Sequence, residues 1–308
     1  MIRKDGGLVE VSWDEAVRFA ADKLNDAKLK TIVSGRLPNE DLFNLKKLSE
    51  AAGGSISLYS SMGGGDVAVK FGLTEGSNLA DLGAGDVILV AGSDLEEEAP
   101  LYWLRVNQAA KRGATVISLN ARKTKLDWSA KYVLQVKYGE VVDTILKLKG
   151  ATDDEAIYAA AKAIEAADNL VVFYGADGMG LLESDNLAKA CAALLQKHGK
   201  TGQPNNGLVA AWPEANTQGA YELGIKAEND LETLLDADVL HLAGVDLPEA
   251  DLADKFVIVQ DTALTETGKK ADVVFPAAAT QERDGSFTNA ERRVQRFYPA
   301  LPAKGEAM

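Results

Sequence analysis

Two stretches of the chain share one pattern of apolar and polar positions. Residues Asp86–Leu95 and Asp238–Leu247 both begin with Asp-Val and both end with Ala-Gly-x-Asp-Leu. A short apolar run that ends at a glycine is typical of a buried parallel strand entering a tight turn. In each copy two further apolar runs follow, at 115–119 and 132–136 and at 256–260 and 271–275. The repeat predicts two α/β units of similar plan.

Helical patterns lie between these runs. Ser12 followed by Glu15 predicts a capped helix start, and apolar residues from Ala16 to Leu24 give that helix one buried face. Further helices are predicted at 39–52, 100–112 and 152–167, and further strands at 31–34, 55–59 and 170–174. The predicted fold class is therefore α/β, with mainly parallel sheets flanked by helices. A chain of 308 residues is long enough for two such domains.

Composition narrows the choice of partners and compartment. Acidic residues outnumber basic ones by 46 to 33, for a net charge of -13, which argues against nucleic acid as a partner. Apolar runs stay well short of the roughly 18 residues needed to cross a bilayer, and the first residues do not resemble a signal peptide. We expect a cytoplasmic protein without direct membrane insertion, with any membrane association made through partners.

The sequence contains few cysteine and histidine residues that could bind a metal ion or an iron–sulfur cluster. Cys191 is the only cysteine, so this chain cannot build a disulfide, a cysteine-ligated iron–sulfur cluster or a cysteine zinc site. We expect Cys191 to be a buried core residue and His198 and His241 to be structural. The carboxylate run Glu96–Glu98 favours a helix first turn over a metal site, because adjacent residues point in different directions on a helix. We therefore predict no metal-ligating residues in this chain.

Two glycine-rich loops invite a phosphate interpretation. Ser60–Gly65 lacks the Lys-Ser/Thr pair of a phosphate-binding loop, and a linker between domains is the favoured alternative. Gly175–Gly180 follows a predicted strand, but its glycine order differs from the dinucleotide fingerprint and Asp177 would place negative charge near a pyrophosphate. An NAD site at this loop is the weaker hypothesis.

The closing third of the chain resembles the molybdopterin oxidoreductase family. The resemblance is carried by residues 259–267, 271–278 and 282–295, and it extends to 12–16 and 202–207. Within the family, residues 79–82, 97–105 and 212–216 are most similar to the large iron–sulfur subunits of NADH–quinone oxidoreductases.

This resemblance implies a domain layout. Two Rossmann-like domains of the kind found in formate dehydrogenase and DMSO reductase are implied, one inserted in the other, at 1–55 plus 165–308 and at 56–164. Each would present a strand tip to a pterin–guanine dinucleotide. Iron–sulfur clusters would lie in a region that precedes the equivalent of Met1, and the partners would be other peripheral-arm subunits that pass electrons from NADH to quinone.

The family's cofactor positions match this chain unevenly. At the first tip Gly92 and Ser93 match, but Asp94 replaces an asparagine; at the second tip Gly244 matches, but Asp246 stands where asparagine is usual. The family's Asp-Pro-Arg has become Asn120-Ala121-Arg122, whereas Asp261 and Thr265 match. The candidate cofactor-binding residues, all vestigial under this interpretation, are Gly92, Ser93, Asp94, Asn120, Arg122, Gly244, Asp246, Asp261 and Thr265.

Electrostatics favours a lost cofactor site. An ionised Asp94 or Asp246 beside a pyrophosphate would repel it by as much as about 4 kcal/mol for a close pair at an effective dielectric constant near 20. Pairing with Arg or Lys would remove that penalty, and the sequence leaves such pairing open. We therefore expect a cofactor-free, non-catalytic scaffold within an NADH–quinone oxidoreductase.

The alternative is a true molybdopterin enzyme similar to a formate dehydrogenase. It requires molybdopterin guanine dinucleotide and a metal ligand near Tyr59. No cysteine is present there, so Ser60 or Ser61 would have to bind the metal.

Overall fold

The computed structural model describes residues 1–24, 27–150 and 152–307, which form two compact units. The first unit comprises Met1–Ser60, Glu214–Asn289 and Val294–Met308. The second comprises Ser61–Pro213 and Ala290–Arg293. Both units are built from a mainly parallel sheet flanked by helices, which confirms the predicted fold class.

The chain enters the first unit through six elements: β1 (Ile2–Lys4), β2 (Gly7–Val9), α1 (Trp13–Leu24), β3 (Leu29–Val33), α2 (Asn39–Ala51) and β4 (Ser55–Tyr59). Helix α1 begins at the predicted cap, since the backbone N–H of Glu15 donates to Ser12 Oγ at 3.2 Å. Its first turn carries Asp14 and Glu15, which complement the helix dipole. Ala16 and Ala20 are buried against the sheet.

The second unit holds the elements α3 (Gly65–Phe71), β5 (Val87–Ala91), α4 (Leu95–Glu98), α5 (Pro100–Lys111), β6 (Thr115–Asn120), β7 (Tyr132–Gln135), α6 (Val141–Lys149), α7 (Glu155–Glu165), β8 (Leu170–Tyr174), α8 (Leu181–Lys197) and β9 (Gly207–Ala210). Within its described residues these five strands form one parallel sheet in the order β7-β6-β5-β8-β9. Every residue of β5, β8 and β9 is buried, because helices cover both faces of a parallel sheet. Cys191 on α8 is buried as predicted.

The chain returns to the first unit with α9 (Thr217–Glu222), β10 (Ala227–Glu228), α10 (Leu231–Leu235), β11 (Val239–Ala243), β12 (Phe256–Asp261), α11 (Glu266–Lys270), β13 (Val273–Pro276) and the hairpin strands β14 (Gly285–Thr288) and β15 (Val294–Phe297). Among the described residues the main sheet has the order β10-β4-β3-β11-β12-β13-β1-β2. It is parallel from β10 to β13 and antiparallel beyond. Alternate residues of β11 face two apolar clusters, with Leu240 and Leu242 on one side and Val239 on the other. Single turns of 3-10 helix occur at Leu79–Asp81, Lys125–Trp128 and Thr280–Glu282.

The two sheets share a five-strand plan. The order β13-β12-β11-β3-β4 in the first unit matches β7-β6-β5-β8-β9 in the second. In the second unit the chain makes all five strands in one continuous segment. In the first unit the strands equivalent to β8 and β9 are β3 and β4, which precede the other three strands of the shared plan. The sequence repeat covers three neighbouring strands of each sheet: β5, β6 and β7 in the second unit, and β11, β12 and β13 in the first.

The division into units differs from the predicted domain boundaries over residues 165–213. These residues belong to the second unit because β8 pairs with β5 along its whole length, with Val87 opposite Leu170 and Ala91 opposite Tyr174. Strand β9 then pairs with β8. The first crossing between units falls after Ser60, close to the predicted boundary at 55. In the described part of the chain, the helices are too short or too polar to span a membrane.

A buried asparagine joins three parts of the first unit. Asn216 is fully buried, its backbone N–H donates to Gly35 O at 2.7 Å, and its side-chain amide donates to Leu37 O at 2.7 Å. Its Oδ1 accepts from the backbone N–H of Thr288 at 2.7 Å. One side chain therefore satisfies backbone groups of the turn after β3 and of strand β14, which would otherwise be buried without partners.

We predict that Asn216→Ala lowers the free energy of unfolding by about 2 kcal/mol, because it leaves a buried carbonyl and a buried N–H unsatisfied. The measurement is urea denaturation followed by circular dichroism. The matched control is Asn229→Ala, at an exposed position, which should change the midpoint little. Equal effects of the two substitutions would contradict this role of Asn216.

Candidate functional site

Each unit's sheet has a point where the strand order reverses, and the carboxyl ends of the strands at that point are where open parallel sheets form a crevice. It lies between β5 and β8 in the second unit and between β11 and β3 in the first. Both crevices have the same backbone frame. Gly92 N–H donates to Leu119 O at 2.9 Å, and Gly244 N–H donates to Gln260 O at 2.9 Å. Open parallel sheets bind ligands at such switch points.

The two tip glycines need their left-handed conformation. Gly92 has φ +58° and Gly244 has φ +65°, a region that residues with a Cβ adopt at a cost. At Gly92 a Cβ would also collide with the Met179 side chain and lie 3.1 Å from Leu187 Cδ2. Side chains from the loop after β8 and from α8 therefore cover this tip.

An arginine bridges two aspartates in the second-unit crevice. Arg122 Nη1 lies 2.8 Å from Asp94 Oδ2, and Arg122 Nε lies 2.7 Å from Asp177 Oδ2. Asn120 Nδ2 also donates to Asp177 Oδ2, at 3.1 Å. Asp94 is only 6% exposed, so the pairing compensates most of the cost of burying its charge. The sequence pattern identified Asp94, Asn120 and Arg122 as candidates, and the structure places them together.

A third carboxylate completes this cluster. Ser93 Oγ donates to Glu98 Oε2 at 2.6 Å. Burial raises the pKa of Glu98, nearby Asp177 and Asp94 raise it further, and the Ser93 hydrogen bond opposes the change. A Cβ at Gly175 would lie 2.7 Å from both Glu98 Oε2 and Ser93 Cβ. The run Glu96–Glu98 does point in different directions, since Glu96 pairs with Lys125 instead.

This cluster does not fit a bound pyrophosphate. Arg122 pairs with two carboxylates, Asp94 and Asp177, and Glu98 lies near both of them. The charges of these four side chains sum to a negative value whether Glu98 is ionised or protonated. The donors that could hold a phosphate, Arg122 and Asn120, are already engaged by Asp94 and Asp177. The sequence shows that Asp177 is an acidic residue in the loop Gly175–Gly180, but its contact with Arg122 appears only in the structure.

In the first-unit crevice, the Asp246 carboxylate accepts hydrogen bonds from the first turn of helix α11. Its Oδ1 accepts from Thr267 N at 2.9 Å and from the Thr267 hydroxyl. Burial opposes ionisation of Asp246, but the hydrogen bonds from Thr267 outweigh it and lower the pKa. Thr265 caps the same helix by accepting from Gly268 N at 3.0 Å. These two candidate residues therefore organise α11.

A cavity of about 410 Å³ opens beside Gly244. Asp261 lies on its wall, and its Oδ1 accepts from Thr262 N at 2.7 Å. Arg283 and Asp41 form an ion pair on another wall. An apolar cavity with a few convergent polar groups is the usual form of a small-molecule site. The full lining is Leu37, Asp41, Asn44, Leu45, Leu48, Ala243, Gly244, Gln260, Asp261, Thr262, Ala277, Ala278 and Arg283.

His241 lies in β11 two residues before the edge of this cavity. Burial lowers the pKa of His241 to about 4, with a hydrogen bond to Gln260 acting in the opposite direction. The imidazole is therefore neutral at pH 7. Such a group supports the sheet more readily than it transfers protons near neutral pH.

The two serines offered as metal ligands differ in exposure. Ser60 is buried and Ser61 is exposed. In the part of the chain that the structure describes, no group of three or more His, Cys, Asp and Glu side chains could hold a metal ion. The loop that contains these serines lies where the chain passes from the first unit to the second.

Taken together, these features define an α/β protein with two mainly parallel sheets, each with a point at which the strand order reverses. Comparison with protein families matches residues 1–308 to the family described as molybdopterin oxidoreductase. The chain belongs to the molybdopterin oxidoreductase family, which confirms the resemblance noted above.

Relatives of two kinds are similar to this chain. The alpha subunit of a formate dehydrogenase from Methanococcus maripaludis is 27% identical over 100% of the chain and 59% of its own length. An NADH-quinone oxidoreductase subunit from Rhizobium meliloti is 28% identical over 96% of the chain and 44% of its own length. The chain thus spans about half of the length of these relatives.

Solved structures with the same fold include acetylene hydratase from Pelobacter acetylenicus. It has a TM-score of 0.73 and 16% identity, and the match covers 97% of this chain and 57% of that one. The formyltransferase/hydrolase complex from Methylorubrum extorquens matches with a TM-score of 0.66 and 17% identity, over 96% of this chain and 93% of that one. At these identities the likeness concerns the fold alone.

We predict that Arg122→Ala lowers the free energy of unfolding by about 2 kcal/mol, because Asp94 and Asp177 lose their shared cation. Adding Asp94→Asn to this variant should recover part of the loss, since it removes the buried charge. Urea denaturation of the single and double variants is the measurement. Arg105→Ala, at an exposed position on α5, is the control. A double variant less stable than Arg122→Ala would contradict this role of the arginine.

We predict that Glu98→Gln removes a pH dependence of stability. Burial raises the pKa of Glu98 above its ordinary value of 4.5, so the folded chain binds this proton more tightly than the unfolded chain. That contribution is present below pH 4.5 and is lost as pH rises through the raised pKa. Urea denaturation at several pH values should show that Glu98→Gln gains stability relative to the unsubstituted chain across this window. Glu97→Gln, on the exposed side of α4, is the control: its free energy of unfolding should differ from that of the unsubstituted chain by the same amount at every pH. If the difference for Glu98→Gln were also independent of pH, the raised pKa of Glu98 would be refuted.

Proposed function

We propose that this chain is the α/β portion of a large iron–sulfur subunit of an NADH–quinone oxidoreductase, and that it serves there as a scaffold of the peripheral arm. Electrons would pass from NADH to quinone through clusters held outside residues 1–308 and by partner subunits. This portion would position those neighbours and carry out no chemistry. It would be cytoplasmic and would reach the membrane through its partners.

The observation that carries the proposal is the Asp94–Arg122–Asp177 cluster. In a dinucleotide enzyme, the donors at this crevice are needed for the cofactor's phosphates. Here Arg122 contacts two aspartates at 2.8 and 2.7 Å, and Met179 covers Gly92. The similarity to the NADH-quinone oxidoreductase subunit of Rhizobium meliloti over 96% of the chain supports the same assignment.

A second candidate function is a formate dehydrogenase-like molybdopterin enzyme. The specific observation in its favour is the cavity of about 410 Å³ beside Gly244, which carries Gln260 and Asp261 on its wall. The similarity to the alpha subunit of the Methanococcus maripaludis formate dehydrogenase adds support. Under this alternative Asp261 would contact the pterin–guanine dinucleotide, and Ser60 or Ser61 would be the metal ligand.

The two functions differ in electron donor and in metal content. We would tag the full-length protein in its own organism, purify the complex gently, and assay it with NADH and with formate as alternative donors to a quinone analogue. Molybdenum, tungsten and pterin would be measured in the same preparation. We predict NADH-dependent reduction, no formate-dependent reduction, and metal and pterin far below one per chain.

Stoichiometric metal with pterin, or formate-dependent reduction, would overturn the scaffold proposal. In that case the variant Ser60→Ala/Ser61→Ala should lose metal, and Asp261→Ala should lose pterin. An active formate dehydrogenase prepared in parallel serves as the positive control for both analyses.

A further inference from the structure

A carboxylate from a distant part of the sequence occupies the turn after β3. Glu214 Oε2 accepts the backbone N–H of Gly35 at 2.6 Å. Its Oε1 accepts from Ser34 Oγ at 3.2 Å and lies 3.6 Å from Arg36 Nε. Three consecutive residues thus direct a backbone N–H, a hydroxyl and a guanidinium at one carboxylate.

The turn is shaped to receive this group. A Cβ at Gly35 would collide with Thr217 Oγ1 and would lie 2.8 Å from Glu214 Oε2 and 3.0 Å from Thr217 N, so glycine lets both residues approach the turn. Ser34 Oγ already accepts from Arg36 N at 3.0 Å and from Arg36 Nε at 3.2 Å. Its hydroxyl hydrogen is therefore left to point at Glu214.

The turn lies in the first-unit crevice. Ser34 N–H donates to Ala243 O at 3.3 Å, and Arg36 Nη2 donates to Gly244 O at 2.7 Å. Ser34 is only 3% exposed, whereas the Glu214 side chain is 26% exposed. Solvent therefore reaches the carboxylate and the Arg36 side chain, which is 66% exposed, whereas Ser34 and Gly35 are buried beneath them.

These donors are those that recognise an oxyanion. Backbone N–H groups in a turn provide an anion-binding concavity, and charge-assisted bonds from guanidinium and N–H to carboxylate or phosphate are among the strong ones. Without Glu214, the N–H of Gly35 and the hydroxyl of Ser34 would face the crevice without an acceptor.

We propose that the turn Ser34–Gly35–Arg36 is an oxyanion-binding site and that Glu214 is its internal occupant. A small carboxylate or inorganic phosphate is the ligand class that would replace the Glu214 side chain. The proposal concerns the turn itself and holds under either function considered above.

The test is chemical rescue of Glu214→Ala. Thermal unfolding of this variant is recorded against increasing sodium acetate and, separately, inorganic phosphate, with sodium chloride at matched ionic strength as the baseline. We expect a saturating rise in Tm that chloride does not produce, as mass action requires for a ligand of the folded state. Rescue by acetate alone identifies a carboxylate site, and rescue by phosphate identifies a site wide enough for a tetrahedral anion.

Two further variants make the result specific. Glu249→Ala removes an exposed carboxylate elsewhere in the first unit. Like the unsubstituted chain, it should show only the gradual, non-saturating rise in Tm that excluded anions such as phosphate give to any folded protein. Arg36→Ala/Glu214→Ala should lose most of the rescue. A folded Glu214→Ala chain with no response to either anion would overturn the proposal.

If Glu214→Ala does not fold in chloride, recovery of near-UV circular dichroism on adding acetate or phosphate supports the proposal. Glu214→Gln then provides the second route, because it keeps an acceptor for Gly35 but lacks the charge. Its Gly35 amide resonance should shift during titration with phosphate, and an unchanged resonance would count against the site.

Discussion

The turns and helix starts that follow parallel strands present backbone N–H groups that must find acceptors, and this requirement shapes both crevices. In many α/β proteins a ligand's anionic group satisfies part of it. Here the chain's own carboxylates do so: Asp246 accepts from the start of α11, and Glu214 accepts from Gly35. In the second unit Asp94 and Asp177 neutralise Arg122 instead. In both crevices the paired groups belong to the chain itself.

Much of the fold could be predicted from the sequence because its signals are local. The repeated run ending in Ala-Gly-x-Asp-Leu marked β5 and β11, and the apolar run at 170–174 marked β8. The assignment of β8 to the second unit could not be predicted. A parallel strand that is buried on both faces is apolar along its whole length, so its sequence does not indicate which strands lie beside it. The repeat itself covers only three strands of each unit.

The candidate site was predictable in part, for a related reason. Asp94 and Arg122 were identified by position, and their proximity follows from the adjacency of β5 and β6. Asp177 and Glu214 approach from loops distant in sequence, so no spacing rule pairs them with Arg122 or Arg36. The cavity beside Gly244 depends on how α2 and Arg283 meet the strand ends, which is a tertiary property. The family signature at 282–295 is explained in part by packing, since Ser286 and Thr288 accept from Asn39 Nδ2 at 3.2 and 3.0 Å.

The two units differ in how their strands follow one another along the chain, and this difference bears on the order of folding. The second unit is made almost entirely from one uninterrupted segment, Ser61–Pro213, so its sheet can close while later residues are still being synthesised. The first unit cannot close so early. Strand β3 pairs with β11, and Lys28 N reaches Asp238 Oδ2 across 210 residues. Until β10 and β11 emerge from the ribosome, β4 lacks its neighbour β10 and β3 lacks its neighbour β11, and both edges of the pair are open to non-native pairing.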